Sequence, residues 1–372
     1  MKITVQDPHT LADAAGFCAR AIPSRPQQPA LAGIMLSASQ GTLHLGTYDF
    51  DQSTSATIDA DLAVDIATAG SVLVSGRLLA DITRSLPAQP VHLEDSGTQL
   101  SLSCGRAKFN LPTMQVDQYP TPPDMPALAG TVGSDVLAEA VRSVAVAAGT
   151  DGSIPALTAV QIVADRDKLT LAATDRYRLA VRTLRWVNSG DCALTALVPA
   201  RTLSEVAKSM TGADIHIGMQ QGENGAGIIG FLGADRSITT RLIDGQFPKY
   251  ESLFPTDFHA EVQVDVAELC ETIRRVSLVA GSKGPIRLTF TADSVTADAG
   301  GTDEATASEN VTAELDGDGM TVALNHGFLL DALGSLGSDT ATLSMVAPTK
   351  PIVITGKSNA LRCLLMPIRT SA

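Results

Sequence analysis

Leu11-Ala12-Asp13-Ala14-Ala15, Leu137-Ala138-Glu139-Ala140-Val141 and Leu269-Cys270-Glu271-Thr272-Ile273 are one pattern written three times, at intervals of 126 and 132 residues. Each sets a leucine, an acid and an apolar residue at spacings that suit one helix. A second helix repeats the device: Val74/Leu79/Asp81, Val198/Leu203/Glu205 and Leu324/Leu329/Asp331, at intervals of 124 and 126. Apolar and acidic positions both recur, so the match is more than shared hydrophobicity. A period this long is too large for a solenoid unit, and each copy reads as a whole domain. Alternating runs between the helices, such as Leu43-His44-Leu45, Leu169-Thr170-Leu171 and Ile286-Arg287-Leu288, read as strands. Two helices plus many strands per copy, without βαβ alternation, predict an α+β fold. Proline-rich stretches (Tyr119–Pro123, Phe247–Tyr250, Phe254-Pro255) read as stiff connectors. They set the expected domains at 1–127, 128–255 and 256–372. The segment Asp293–Gly319 reads as strands joined by exposed turns.

Composition limits what such a chain can do. A charged content of 18% against 44% hydrophobic residues describes a globular protein and excludes a disordered one. With only 4% aromatics, the cores must be built from Ala, Val, Leu and Ile. No run approaches the length of a membrane span, and the opening MKITVQDPHT has no apolar signal region. The five cysteines, Cys18, Cys104, Cys192, Cys270 and Cys363, form no CxxC pair and read as reduced thiols of a cytoplasmic protein. A net charge of −13 excludes coating of nucleic acid by the whole surface. It leaves room for cations gathered on one face.

Several motifs dissolve on inspection. Gly225-Ala226-Gly227-Ile228-Ile229-Gly230 fits GxGxxG, yet a turn precedes it and β-like sequence follows, where a dinucleotide site needs a strand and then a helix. It reads as a hairpin. Gly281-Ser282-Lys283-Gly284 lacks the order of a phosphate loop and reads as a turn. Asp316 and Asp318 lack the downstream ligands of a calcium loop. The six histidines show no metal spacing, so the sequence assembles no catalytic site and implies no cofactor.

The cations are more telling. Arg77 and Arg84 stand seven apart on the second helix of the first copy, and Arg201 and Lys208 stand seven apart on that of the second. Seven residues is nearly two turns, so each pair shares a helix face. The first helices add Arg142, and Arg274 with Arg275. Any one of these alone is a solvated surface cation. Repetition on matching helices of an acidic chain points to a shared face for phosphates. Ala173-Thr174-Asp175-Arg176-Tyr177-Arg178-Leu179-Ala180-Val181 reads locally as a strand entering a tight turn. The ending Leu364-Leu365-Met366-Pro367-Ile368-Arg369 reads as a last buried strand broken by proline.

Together these segments resemble the bacterial sliding clamps, the β subunits of DNA polymerase III, over the whole chain. ATDRYRLAV, DGQFPKYESLFP (residues 244–255) and LLMPIR occur in the order that family has them, inside a three-fold repeat. The resemblance implies three similar clamp-type domains, each of two helices plus antiparallel sheets. It implies a head-to-tail homodimeric ring with helices lining a channel around double-stranded DNA, and no enzymatic activity. Arg25, Arg77, Arg84, Arg142, Arg201, Lys208, Arg274 and Arg275 would then meet backbone phosphates. Such contacts read charge and not sequence. Partners would be the polymerase III α subunit, the clamp loader, and other replication or repair proteins carrying a clamp-binding peptide. Their groove would be formed by Leu157, Thr174, Arg176, Tyr177, Arg178, Leu179, Pro248 and Leu253, with Asn325, Phe328, Met366, Pro367, Ile368 and Arg369. Apolar side chains fill such a groove, Met adapts to varied partners, and Arg fixes polar ends. Phe109, Leu111 and Leu278 would supply the apolar part of the dimer contact.

The chain departs from the pattern in three places. Thr370-Ser371-Ala372 runs past the arginine at which many members stop. Arg176 and Tyr177 replace smaller or different residues of other branches. Gly327 stands where the other copies have Arg77 and Arg201. Two rivals from other classes make distinct predictions: a nucleotide-dependent enzyme would bind dinucleotide near Gly227, and a peptide-binding scaffold would fail to load on DNA.

Overall fold

The computed structural model describes residues 1–59, 64–189, 194–210, 212, 214–222, 227–281, 284–300 and 305–369. Each third of the chain runs in the same order: strand, helix, further strands, second helix, three closing strands. The first helices are α1 (Pro8–Ala21), α3 (Ser134–Ala145) and α5 (Val266–Val276). The second helices are α2 (Gly76–Arg84), α4 (Ala200–Ser209) and α6 (His326–Ser335). Their starts are separated by 126 and 132, and by 124 and 126, the intervals read from the sequence.

The repeated letters are the signature of half-buried helices. Leu11, Leu137 and Leu269 are each 0% exposed, as are Leu79, Leu203 and Leu329. The acids two positions on face outward, with side-chain exposures of 66% for Asp13, 52% for Glu139 and 65% for Glu271. Truncating any of the six leucines to alanine would cost about 2–5 kcal/mol. Caps fix where helices begin. Asp7 accepts the His9 N–H ahead of Pro8, Asp265 accepts the Glu268 N–H at 2.8 Å, and Asn325 accepts the Phe328 N–H at 3.0 Å.

The chain divides into two compact units. The first comprises Met1–Ser134 and Lys208–Leu242. Its antiparallel strands run in the order 128–133, 214–220, 228–232, 236–241, 52–59, 42–48, 33–39, 70–75, 107–114, 99–104, 91–95, 2–5, 64–68. The ladder that joins the first repeat to the second pairs Arg236–Thr240 with Gln52–Ala56, and the buried Ser53 and Thr239 hydroxyls meet there at 2.6 Å. Asp13 accepts from Arg236, whose guanidinium also lies 5.1 Å from the Phe17 ring centre.

The second unit comprises Asp135–Ala207 and Ile243–Ala372. Its strands run 194–199, 159–165, 168–174, 178–185, 361–365, 352–356, 340–345, 260–265, 307–317, 294–299, 285–290, 321–325. Here the ladder pairs Arg178–Arg182 with Leu361–Leu365, so the second repeat meets the third as the first meets the second. The proline-rich connector is no bare spacer: Phe247, Tyr250 and Phe254 pack on Ala172, Leu179, Val181 and Leu364. Phe247 and Tyr250 meet edge to face at 6.0 Å.

The glycine-rich segment enters the strand Ile228–Leu232, between 214–220 and 236–241, and no helix follows it; Gly225 and Ala226 lie outside the described residues. Ser282 and Lys283 of the loop-like motif also lie outside, as do Cys192 and Thr370–Ala372. Cys18, Cys104, Cys270 and Cys363 are buried free thiols. Burial pushes Cys18 and Cys363 up to about 12, which leaves them unreactive. Among the described residues no helix is long and apolar enough to cross a membrane, and no cluster of metal-ligating side chains occurs.

Candidate functional site

The tight turn between strands Lys168–Thr174 and Arg178–Arg185 is built by its own side chains. Asp175 Oδ1 accepts the N–H groups of Tyr177 and Arg178 at 2.9 and 3.0 Å. Thr174 Oγ1 donates to the Arg178 carbonyl at 2.7 Å and accepts the Arg176 N–H at 3.2 Å. Arg176 is thereby held at φ +82°, in the left-handed region that glycine prefers. The second Asp175 oxygen takes Arg178 Nε at 2.9 Å, and Asp331 on α6 takes Arg178 Nη1 at 2.6 Å. The guanidinium also lies 4.3 Å from the Phe328 ring centre. With two carboxylates and a ring face around a side chain only 15% exposed, Arg178 is locked in one pose.

The chain's end runs alongside this turn. Strand Leu361–Leu365 pairs with Arg178–Arg182, then the Met366 N–H donates to the Tyr177 carbonyl and the Ile368 N–H to the Ala323 carbonyl, both at 2.8 Å. Leu253 sits on a single turn between Tyr250 and Phe254, which pack on Leu179 and Leu364. Tyr177 at 59%, Leu253 at 49% and Met366 at 40% are exposed apolar side chains. Leu157, Arg176, Tyr177, Arg178 and Phe328 line a cavity of about 350 Å³. The loop Ala148–Ile154 forms its other wall, a contribution the sequence reading missed although Thr150-Asp151-Gly152-Ser153 is turn-forming sequence. Asp151 accepts the Ser153 N–H and hydroxyl at 2.9 and 2.8 Å, which holds its carboxyl below the ordinary range; the Arg176 charge adds a smaller share.

Three expected groove residues serve differently. Leu179 is 2% exposed and Thr174 is 8% exposed, so they support the surface from beneath. Asn325 spends its side chain capping α6. Pro248 and Arg369 are exposed, while Pro367 and Ile368 are partly covered.

The cations on the helices are exposed: Arg77 and Arg84 on α2, Arg142 on α3, Arg201 and Lys208 on α4, and Arg274 on α5, with Arg25 in the segment after α1. Some have intramolecular partners. Arg77 donates to the Ile22 carbonyl at 3.0 Å, Arg142 to the Ala138 carbonyl at 3.2 Å, and Arg84 stands 3.9 Å from Asp81. Arg275 is the most committed, with Glu309 at 2.6 Å and Glu271 at 3.5 Å; this bonding raises the Arg275 pKa and lowers that of Glu309. The repeated acids carry a role that their letters did not disclose, since Glu139 accepts from Arg182 at 2.8 Å as Asp13 accepts from Arg236.

Of the residues expected at a dimer contact, Leu278 is 82% exposed and Phe109 is half-buried. Leu111 lies on the same strand as Phe109. It is 1% exposed in the single chain, because its strand turns that position into the core of the first unit.

Comparison with known proteins agrees with this architecture. Residues 1–123, 131–249 and 251–369 match the N-terminal, central and C-terminal domains of the DNA polymerase III beta subunit. The chain is 42% identical to the beta sliding clamp of Streptomyces coelicolor, with 100% of both chains covered. It is 36% identical to the beta sliding clamp homolog GriR of Streptomyces muensis, over 96% of this chain and 97% of that one. The crystal structure of the Bacillus subtilis DNA polymerase sliding clamp matches with a TM-score of 0.93 at 26% identity, covering 100% of both chains. The griselimycin-bound clamp of Pseudomonas aeruginosa matches at 0.92 and 22% identity over 100% of both chains, a likeness of fold alone. The chain therefore belongs to the family of DNA polymerase III β subunits, the bacterial sliding clamps.

Proposed function

We propose that two copies of this chain close head to tail into a ring around duplex DNA and tether the replicative polymerase and other partners to it. The family acts by tethering and not by catalysis. Three domains, taken as 1–127, 128–255 and 256–372, would form each half of the ring, working on DNA in the cytoplasm.

One observation carries the closed assembly. In both internal junctions the last strand of one repeat pairs, over five residues, with the third strand after the first helix of the preceding repeat. The same two strands are left over at the chain's extremes. Among the described residues, Ala107–Pro112 has a strand neighbour on one side only, Gln99–Cys104. Ala307–Thr312 likewise has only Ser294–Ala299. Each offers six residues of open edge, enough for a third five-residue ladder, and we assign that ladder to a second copy. Phe109 and Leu278 suit the apolar flank of that seam.

Arg25, Arg77, Arg84, Arg142, Arg201, Lys208, Arg274 and Arg275 would supply weak phosphate contacts, Arg275 while shared with Glu309. Retention would come from topology. The cavity beside Arg178, with exposed Tyr177, Leu253 and Met366, would take a short partner peptide by an apolar anchor. The test is retention on DNA: protein loaded onto a nicked circle should stay bound at moderate salt and leave when the circle is linearised. Equal retention on both forms would sink the tethering mechanism. Phe109→Glu with Leu278→Glu should give folded monomers by light scattering and abolish retention; an intact dimer would sink the seam.

A further inference from the structure

The structure assigns a docking site for an acidic segment of a partner protein to the central repeat, at the end of its strands away from the Asp175–Arg178 turn. The site uses no part of the groove. Along the strand pair, Lys168 opposite Arg185 lies six positions from Thr174 opposite Leu179, about 20 Å in extended backbone.

Arg166, Lys168 and Arg185 line an open cavity of about 630 Å³ together with Leu184, Trp186 and Val187. The three cations are exposed, and none makes an ion pair among the described residues. Two acids stand near, Asp165 opposite Lys168 in the hairpin and Asp167 on the cavity wall, and neither pairs with them. Lys168 and Arg185 face each other directly across the antiparallel ladder, an arrangement that destabilises a bare sheet. The frame does not ask for it. The matching pair is Thr42 opposite Asp59 in the first repeat and Ser294 opposite Thr312 in the third. Gln40, at φ +49°, fills the left-handed turn position that Arg166 fills at +54°. Three cations thus gather at one place, in one copy, of a chain whose net charge is −13. Trp186 adds a donor. It is 2% exposed, and its buried indole N–H has no acceptor, where buried donors are ordinarily paired. Guanidinium, ammonium and indole groups alike lack the acceptor that a carboxylate supplies. Val187, 60% exposed, sets apolar surface beside them. Free phosphate would leave that surface bare, and a nucleic-acid strand would find no exposed ring on which to stack its bases. Carboxylates flanking one apolar side chain match both parts.

The probes are two labelled synthetic peptides with a central leucine, one carrying Asp and Glu at all other positions and one carrying Asn and Gln there. Binding to the intact protein at low salt is read by anisotropy of the label and by the fluorescence of Trp186, the chain's only tryptophan. The acidic peptide should bind saturably and shift the Trp186 emission. Arg166→Gln with Lys168→Gln and Arg185→Gln should weaken it by about thirtyfold. Lys168→Glu should abolish binding yet raise the thermal midpoint, because a carboxylate then faces Arg185 across the ladder. A residue of purely structural importance would lose both together. A peptide seated in the groove by an apolar anchor should not compete. Equal binding of the Asn/Gln peptide, of inorganic phosphate or of an oligothymidylate would overturn the assignment. So would an unchanged affinity in the triple variant, a silent Trp186, competition from the groove peptide, or no saturable binding of the acidic peptide.

Discussion

The turns Asp49–Gln52 and Asp175–Arg178 have nearly the same backbone and belong to different repeats. In each, an aspartate Oδ1 accepts two N–H groups, from Asp51 and Gln52 at 3.1 and 2.8 Å or from Tyr177 and Arg178 at 2.9 and 3.0 Å. The second residue in each is left-handed, Phe50 or Arg176. In each, the carbonyl of the third residue accepts an N–H at 2.8 Å from the strand across the junction, Arg241 or Met366. Everything the backbone does is copied. What differs is chemistry: Gln52 stands for Arg178, Asp51 for Tyr177 and Arg241 for Met366. The first set is polar, while the second offers apolar surface around one fixed guanidinium. On the proposed reading, a binding site is written into one copy of a repeated frame without altering the frame.

Substitutions should pull frame and site apart. The largest effect is expected from Asp175→Ala, which removes two turn bonds and one of the two carboxylates on a nearly buried arginine. It should cost about 3 kcal/mol in chemical denaturation and abolish peptide binding. Asp49→Ala, which breaks the same turn without a dependent arginine, should cost about 1 kcal/mol and leave peptide binding intact. Equal costs would mean that Arg178 draws little from Asp175. Next, Arg178→Ala with Met366→Ala should weaken a partner peptide with an apolar anchor by on the order of a hundredfold, whereas Gln52→Ala with Arg241→Ala should not change it. A peptide indifferent to the first pair would remove the groove from this turn. Smaller is the effect of Arg201→Glu with Lys208→Glu, which should lower the salt dependence of DNA binding by about two counterions while the dimer persists. An unchanged slope would clear α4 of phosphate contact.

The smallest effect concerns pH. Because Asp151 titrates below its ordinary 3.8, its loop gains stability that is complete above that value and is lost as pH falls through the lowered one. The Ser153 amide resonance should therefore titrate with a midpoint below 3.8, and Asp151→Asn should remove the titration. A midpoint at or above 3.8 would contradict the bonding to Ser153.

The helices were legible because amphipathic packing leaves both letters in the chain, leucine for the core and acid for the outer face. Asp175 was legible as a turn former because its bonds reach only two and three residues away. Arg178 could be named but its setting could not, since Asp331 lies 153 residues on and nothing local announces the pair. The burial of Leu111 was hidden for a related reason. Its strand carries the same alternation from Ala107 to Met114, and only the neighbouring elements decide where its inward face stops being surface. Arg275 could be named as a helix cation, but Glu309 meets it from a strand 34 residues on, which nothing local announces.

The repeated strand junction has a thermodynamic consequence for an assembled ring. Within a chain, the junctions at Gln52–Ala56 and Arg178–Arg182 are closed by segments of the same polypeptide, at an effective concentration of millimolar order that dilution cannot change. The proposed seam between copies would use the same kind of ladder but answer to bulk concentration. Of six chemically similar joints, two would be reversible under cellular conditions, so a machine that opens the ring need work at only one of them.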